Sequence, residues 1–435
     1  MKISGFDNMI CLEKFEYCSK VDEHEMCQFV CYVREKDIDS FLNLNDSDCT
    51  VEDDEFSFAG HIKEIALSKD ISGNCLEVTL IGKSYLYDED VHNRIFQDPE
   101  KTISDILSKS GSMSDVNYAG KQDKPINEVI IQKDCTDWVF IKYLANLVGE
   151  KVFAGEKIVI AAETSEKISL SEEDCIDYKY CIGGKGARVY CRLSKNYSLG
   201  SIVSFYNKEF LLCGKKYLLD AGQFYFEYVL YEKKENDCKI LVVNDELLEA
   251  VVSDNNDPDN MGKVKVTFSS DTMEDCMEND AIWIEQESFY STKSFGTVFI
   301  PAVDDKVLVS VKNGKPYVFG SLRTESFNEA YQSQNNKCII LDDNVFIEYN
   351  DGSFVITNKD NSVSLSDKQV SVKIGDKSQM IVESGKANIQ IDKTNVEITG
   401  DISGTAGKIL IEAKNEASIS ATNINIKGKS GVSIN

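Results

Sequence analysis

The sequence contains little proline, tryptophan and histidine, and it has no long apolar run. Its 435 residues include five Pro, two Trp and three His, which are His24, His61 and His92. Few prolines suit long β-ladders, because Pro cannot donate a ladder hydrogen bond. No uncharged apolar stretch approaches the roughly 18 residues of a membrane-spanning helix. The N-terminal residues lack a basic segment followed by an apolar one, so we expect no secretory signal peptide and synthesis in the cytoplasm.

Basic residues are also scarce. There are 47 Lys and Arg against 73 Asp and Glu, which gives a formal net charge of −26. Nucleic acids and anionic membranes require basic surfaces, so the charge argues against both partners. With no export signal, the 14 Cys are predicted to be reduced, mostly buried hydrophobic side chains rather than a disulfide framework.

A compositional break separates residues 355–435 from the rest of the chain. This segment lacks Phe, Trp, Tyr, Cys, Pro, His and Arg, and its ten Lys nearly balance nine Asp and Glu. The acidic excess therefore lies in residues 1–354.

The C-terminal segment carries an internal repeat of short strands. Aliphatic pairs two residues apart recur mostly every seven to nine residues: Val363/Leu365, Val372/Ile374, Met380/Val382, Ile389/Ile391, Val396/Ile398, Ile409/Ile411, Ile424/Ile426 and Val432/Ile434. Such strands are too short to bury one apolar face alone. The spacing favours three chains wound into a triangular prism with these residues inside. A single-chain β-solenoid or a flat β-meander used as an adhesive stalk is the alternative.

The N-terminal half predicts a mixed α+β region. Period-2 patterns predict strands over 27–33, 61–67 and 75–81. A helix is predicted over 97–111 with Asp98 as its N-cap, and another over 136–150 with Thr136 as its N-cap.

A small barrel is predicted between residues 254 and 322. Five short segments read as strands, KVKVTF, AIWIEQ, TVFIPAV, DKVLVSV and PYVFGSL. Five strands with Gly and Pro between them suggest an OB-type barrel.

Residues 257–268 and 282–322 resemble the OB-fold of VgrG proteins and phage-tail central spikes. The residues at the positions of the family motif are Asp257, Pro258, Asp259, Gly262, Gly296, Phe299, Pro301, Val307, Val309 and Gly320. The glycine of the family's usual Gly-Asp-Glu turn is replaced by Asp304.

Residues 84–107 and 132–149 resemble the hub domain of the same spikes, through Phe96 and the Thr136-Asp137-Trp138 motif. The N-terminal half is similar to clostridial members of phage-tail-like contractile injection systems. The C-terminal repeat resembles the spike needle, so the resemblance covers nearly the whole chain.

The resemblance implies a mainly β protein with an α+β hub. Its expected domains are a hub of tube-docking β-barrels with helices (1–245), an OB-fold neck (246–325), a linker (326–337) and a β-helical needle (338–435), an intertwined triple-stranded β-helix or prism. The needle core is expected to comprise Val363, Leu365, Val372, Ile374, Ile389, Ile391, Val396, Ile398, Ile409, Ile411, Ile424, Ile426, Val432 and Ile434.

The implied function is that of a non-enzymatic homotrimeric spike in a contractile injection machine, which caps the inner tube and punctures the target envelope. The expected partners are the inner-tube ring, baseplate proteins and a PAAR-type tip protein docked near residues 431–434, with no nucleic acid. The protein would leave the cell as part of a phage-tail-like particle. A tail-associated cell-wall hydrolase and a trimeric adhesin stalk are the alternatives.

No residues predict catalysis, a metal site or a cofactor. His24, Cys27 and Cys31 have a spacing that a metal site would use, but zinc requires a fourth ligand and no partner pair stands out. The GGKG segment at 183–186 lacks the pattern of a phosphate-binding loop and reads as a β-turn. No His follows His92, so the His-x-His iron site that some related spikes carry at their tip cannot form.

Overall fold

The computed structural model describes residues 1–98, 100–127, 129–164, 166–184, 186–220, 222–232, 246–268, 281–292, 297–312, 315–322, 337–391, 416 and 418–431. The chain divides into two units, Met1–Thr324 and Glu325–Asn435. Among the described residues, no helix is both long and apolar enough to cross a membrane.

The first unit is built around a 12-stranded sheet. Its N-terminal strands are β1 (Lys2–Ile3), β2 (Cys11–Lys20), β3 (Met26–Val33), β4 (Asp48–Glu52), β5 (Ser57–Lys69) and β6 (Asn74–Gly82). A short helix α1 (Ile38–Leu42) lies between β3 and β4, after a 3-10 turn at Glu35–Asp37. The predicted strands over 27–33, 61–67 and 75–81 are thus present.

An insertion of short strands and helices follows. It contains β7 (Val91–Phe96), α2 (Ile103–Lys109), β8 (Asn117–Tyr118), β9 (Ile130–Thr136), α3 (Asp137–Leu147), β10 (Lys151–Phe153) and β11 (Val159–Ala161). Further 3-10 turns span Lys83–Asp88 and Gly111–Met113. The apolar faces of α2 and α3 share one core, in which Ile106, Ile141 and Leu144 are almost fully buried.

One of the two predicted helix N-caps is confirmed by the structure, and the other is wrong. Thr136 caps α3 by accepting a hydrogen bond from the Val139 N–H at 3.3 Å. Asp98 was predicted to cap the first helix, and this is wrong. Helix α2 begins later, at Thr102, whose hydroxyl accepts from the Asp105 N–H while the Asp105 carboxylate accepts from the Thr102 N–H. This reciprocal pair satisfies two donors at once, which Asp98 cannot do.

The rest of the large sheet comes after the insertion. Its strands are β12 (Lys167–Ser169), β13 (Asp177–Gly183), β14 (Gly186–Leu193), β15 (Ile202–Phe205), β16 (Lys208–Asp220) and β17 (Gln223–Glu232), with a 3-10 turn at Glu172–Asp174 before β13.

Two motifs with the same pairing order make up this sheet. The first runs β4-β5-β6-β3-β2 and the second runs β15-β16-β17-β14-β13. They join inside the chain through β2 and β16, where residues 15–20 pair antiparallel with residues 214–219. One aromatic-rich core spans both motifs and includes Phe15, Phe29 and Tyr228.

A closed barrel follows in order β18-β19-β20-β22-β21. Its strands are β18 (Glu246–Asp254), β19 (Val264–Phe268), β20 (Ile282–Gln286), β21 (Lys306–Lys312) and β22 (Lys315–Ser321). The predicted strand TVFIPAV is wrong, and β18 supplies the fifth strand instead. Val298 and Phe299 are 72% and 63% exposed, so this segment has no buried face that would hold it as a strand.

The second unit contains a seven-stranded antiparallel meander. Its strands are β23 (Lys337–Asp342), β24 (Val345–Asn350), β25 (Ser353–Asn358), β26 (Asn361–Leu365), β27 (Gln369–Ile374), β28 (Ser378–Glu383) and β29 (Lys386–Gln390). Each strand pairs with its neighbour in the chain. Tight turns favour this pairing of consecutive strands. In the turn between β24 and β25, Asp351 and Gly352 both have positive φ, as a tight hairpin requires. These ladders within one chain have the meander form that the repeat left as an alternative to pairing between three chains.

Candidate assembly surfaces

The C-terminal meander presents one apolar face. Its register aligns a continuous row of aliphatic side chains across seven strands, Ile339, Ile347, Ile356, Val363, Val372, Met380 and Ile389. A second row on the same face contains Tyr349, Phe354, Leu365, Val370, Val382 and Ala387. We call these two rows the apolar face.

Much of the apolar face is exposed in a single chain. Val363, Met380 and Ile389 are 37%, 43% and 63% exposed. The opposite face, from β26 onwards, is polar apart from Ile381 and carries Ser362, Ser364, Ser371, Lys373, Gln379, Asn388 and Gln390. A sheet with this alternation requires a partner for its apolar side.

The structure places four of the described candidate needle residues on this face. Val363, Val372 and Ile389 lie in the first row, and Leu365 lies in the second. Ile374 and Ile391 have the same strand parity. Ile424 and Ile426 are 52% and 62% exposed in a segment without strands. The other candidates, Val396, Ile398, Ile409, Ile411, Val432 and Ile434, lie outside the described residues, as does most of the predicted tip-docking segment. Membership of a trimeric core stays a prediction.

Sequence reasoning missed the upstream part of both rows. The period-2 alternation continues back through Ile356, Phe354 and Ile347, and this signal was available. The upstream strands contain Phe346, Tyr349 and Phe354, so they do not share the aromatic-free composition that marks residues 355–435.

In the first unit, the Thr136-Asp137-Trp138 motif adjoins a buried ion pair. The Arg94 guanidinium donates to the Asp137 carboxylate and, at 2.9 Å, to Gln132 Oε1. Gln132 Nε2 donates to Asp137 at 2.9 Å, and the Ser112 hydroxyl also donates to Asp137. Burial raises the pKa of Asp137, but the bonds from Ser112, Gln132 and Arg94 outweigh it and hold the pKa below its usual value. Asp137 is therefore a structural anion that fixes the start of α3.

Trp138 and Phe96 are packing residues. The His24 ring stacks on Trp138 with centroids 4.1 Å apart, and Phe96 stacks on Phe140 at 5.9 Å. Sequence reasoning identified the Thr-Asp-Trp motif and the segment 132–149 that begins at Gln132, but it assigned no role to Gln132. It missed Arg94, because this residue lies on β7, 43 residues before Asp137.

His24 is held between α3 and the Lys83–Asp88 turn. Its Nδ1 lies 2.9 Å from Ser84 Oγ, and its Nε2 lies 3.3 Å from Asp88 Oδ2. Burial lowers the pKa of His24 despite the opposing effect of Asp88. The side chain is engaged in packing, and Cys27 and Cys31 are fully buried core residues. Among the described residues, no group of three or more His, Cys, Asp or Glu side chains is arranged to hold a metal ion.

The lowered pKa of His24 predicts a pH dependence of stability. Below the ordinary value near 6.5, the unfolded chain binds a proton that the folded chain resists, so the unfolding free energy falls as pH falls. His24→Phe keeps a ring against Trp138 and removes the titration. We expect the unfolding midpoint of the wild type to drop more between pH 7 and pH 5 than that of His24→Phe. Equal drops would show that His24 does not carry this dependence.

In the barrel, the motif residues shape a loop and fill the core. The Asp257 carboxylate accepts backbone N–H bonds from Asp259, Met261 and Lys263. Desolvation raises the pKa of Asp257, and these bonds outweigh it and lower the pKa. Gly262 has a φ of 76°, as the loop requires. Val307 and Val309 are fully buried, and Pro301, in the segment before β21, is also buried.

The remaining motif residues lie at the edge of the barrel. Pro258 and Asp259 occupy the turn after Asp257, and the Asp259 carboxylate pairs with Lys263 at 3.0 Å. Gly320 lies on β22, next to a break in its register with β21. Phe299 is exposed, and Gly296 lies outside the described residues. A role for these residues beyond the fold of the barrel stays a prediction.

Asp304 occupies the turn position where the family has glycine. Its φ is 73°, and its N–H donates to the Val252 carbonyl at 2.9 Å. The neighbouring Asp305 carboxylate accepts from the Ala302 N–H at 2.8 Å. Asp is among the residues that tolerate this left-handed conformation, so the turn forms without glycine.

The positive φ of Asp304 predicts that a β-branched residue and a glycine at this position have different effects on stability. We expect Asp304→Val to lower the unfolding free energy by about 1–2 kcal/mol, because a β-branched residue is strained at positive φ. Asp304→Gly should remain within about 1 kcal/mol of the wild type. Urea unfolding of both variants measures the difference, and equal losses would contradict a strain origin.

Comparisons with known proteins agree with this architecture. Residues 248–322 match the type VI secretion system/phage-baseplate injector OB domain. Among curated proteins, no sequence matches significantly. The E. coli c3393 protein, described as a type VI secretion component structurally similar to the T4 tail proteins gp27 and gp5, aligns with a TM-score of 0.52 at 16% identity. That match covers 74% of this chain and 99% of c3393.

A VgrG complex gives a similar result. The half-lidded Francisella PdpA–VgrG structure aligns with a TM-score of 0.53 at 10% identity, covering 87% of this chain and 83% of that chain. The fold is therefore that of the VgrG-like and phage-tail spike proteins, and the chain contains their OB domain. The chain as a whole is mainly β.

Proposed function

We propose that the chain is a homotrimeric, non-enzymatic spike of a contractile injection machine that caps the inner tube and punctures the target envelope. The observation that carries this proposal is the apolar face. Two aligned apolar rows run along a sheet whose other face is polar from β26 onwards apart from Ile381, and within one chain Val363 and Met380 stay well exposed. A single sheet is not stable with such a face in water.

Packing three copies together is the simplest way to bury the apolar face. Three meanders packed face to face form a triangular prism with aliphatic rows inside and Ser, Lys, Gln and Asn outside. Most side chains that point inward are Val, Ile, Leu and Met, which pack closely around a narrow axis. Continuous ladders and a dry core would make such a needle stiff enough to transmit force along its length.

The first unit provides the attachment. Its two barrel-like motifs per chain would give six in a trimer, which suits a six-fold inner-tube ring. The domain bounds of 1–245 for the hub, 246–325 for the neck, 326–337 for the linker and 338–435 for the needle are part of this proposal. Baseplate proteins and a PAAR-type tip protein are its further partners. The acidic excess of residues 1–354 would favour neutral or basic partner surfaces.

The alternatives receive less support. A cell-wall hydrolase needs a catalytic centre, and the carboxyls of Asp137 and Asp257, whose pKa values are lowered, are engaged in structural hydrogen bonds. A trimeric adhesin stalk would use the same apolar face, but the injector OB domain at 248–322 favours the spike.

Cryo-electron microscopy of particles purified from producing cells tests the proposal. We expect density for three copies of this chain at one end of the inner tube, with the 337–391 segment forming a three-sided needle. Particles that lack the chain, or that carry it elsewhere, would contradict the proposed function.

A further inference from the structure

Two strand edges in the first unit lie at related positions of the repeated motif. The shared pairing order makes β2 equivalent to β13 and β5 equivalent to β16. The register also matches, because β5 and β16 each contain a one-residue irregularity against the following strand, between Ile62 and Glu64 and between Leu212 and Gly214. Glu64 is therefore equivalent to Gly214, and residues 64–69 are equivalent to residues 214–219.

One of these edges is paired and the other is open. Residues 214–219 pair with β2, and Tyr217 at the centre of that contact is 4% exposed. Residues 64–69 pair with β6 on one side. In the part of the chain that the structure describes, no strand pairs with their other side, and Leu67, the equivalent of Tyr217, is 44% exposed.

The second open edge is β13. It ends the sheet order and pairs only with β14 among the described strands. Tracing the register through both motifs makes residues 178–183 equivalent to residues 15–20 of β2. Ile182 on this edge is 79% exposed. An edge of this kind is a template for adding another strand.

We propose that β13 of one copy adds to β5 of a second copy in the register that β2 uses on β16 within the chain. Gly214 pairs with Lys20 and Leu219 pairs with Phe15. The equivalent contact between copies pairs Glu64 with Gly183 and Lys69 with Tyr178, antiparallel. Each open edge thus pairs with a neighbouring copy, β5 with the neighbour's β13 and β13 with the neighbour's β5.

The side chains fit this register. Ile65 lies opposite Ile182, and Leu67 lies opposite Tyr180, so the exposed Leu67 and Ile182 share one face with the partly buried Ile65 and Tyr180. Cross-strand pairs of this type stabilise sheets. On the other face, Ala66 lies opposite Cys181. The contact is head-to-tail, so it continues from copy to copy and forms a ring if the rotation closes.

The inference deepens the proposed function. It relies on the proposed trimer only for the number of copies, since three copies would close six motifs into one continuous ring. The two strand edges and their register are argued independently of that number.

Cysteine cross-linking tests the register in the full-length chain. The variant Ala66→Cys places a thiol opposite the native Cys181 of the neighbouring copy, and opposed strand positions lie within the Cα separation that a disulfide spans. After oxidation with diamide, we expect covalent dimers and trimers on a non-reducing gel. Ala66→Cys combined with Cys181→Ser should remove them, and the wild type should show none.

Three matched variants test the alternatives. Glu64→Cys and Ser68→Cys lie on the same face, two residues out of register, and Leu67→Cys points to the opposite face. Cross-linking that is stronger in any of these than in Ala66→Cys would overturn the register, and no Cys181-dependent cross-link in any variant would overturn the contact. Hydrogen exchange of the unmodified protein gives a second readout, since amides in 64–69 and 178–183 should be protected if the edges pair. A native trimer without cross-links contradicts this inference alone, whereas a monomer contradicts the proposed function.

Discussion

Val363→Asp is expected to disrupt the trimer. Val363 lies in the middle of the apolar face, paired with Ile356 and Val372. In the proposed prism three carboxylates would enter the dry core, and burying unpaired charges costs several kcal/mol. We expect at least a tenfold loss of trimer at micromolar concentration, measured by light scattering, and rapid proteolysis within 337–391.

Ser362→Asp is the matched control. It adds the same charge one residue away, on the polar face, where Ser362 pairs with Lys373. This variant should keep the mass and protease resistance of the wild type. If Val363→Asp behaved in the same way as Ser362→Asp, the apolar face would not be an interface.

Asp137→Ala is expected to lower the unfolding free energy of the first unit by about 3–5 kcal/mol, because it leaves the Arg94 charge buried without its carboxylate. Both side chains are about 4% exposed, so water cannot replace the lost partner. Urea unfolding followed by the fluorescence of Trp138, the next residue, measures the loss.

The exposed pair of Lys20 and Glu23 provides the control for this variant. These side chains are 50% and 58% exposed and 2.9 Å apart. Glu23→Ala also removes a paired carboxylate, and it should cost less than about 1 kcal/mol. If Asp137→Ala and Glu23→Ala lowered the unfolding free energy by similar amounts, burial would not increase the contribution of the Arg94–Asp137 pair to stability.

Local patterns predicted much of the fold. Period-2 alternation identified β3, β5 and β6, and the Thr136 cap fixed the start of α3. The sequence favoured TVFIPAV as a strand because it alternates like one. The structure leaves it irregular because β18 closes the barrel core, and the alternation of Leu248, Ala250 and Val252 that indicates this strand was missed.

Contacts between distant segments could not be predicted from the sequence. Asp137 is 43 residues from Arg94, and an ion pair across that distance leaves no spacing signal. The repeated motif in the large sheet was equally hidden, since only Tyr17 and Cys18 of residues 15–20 recur unchanged, as Tyr180 and Cys181, among residues 178–183. The equivalence is carried by strand pairing and by the position of the register shift.

The native mass of the full-length protein tests the central claim most directly. A homotrimeric spike predicts three times the chain mass of 48.7 kDa by native mass spectrometry at micromolar concentration. A single chain or a dimer under the same conditions would contradict the trimeric spike and the role assigned to the apolar face.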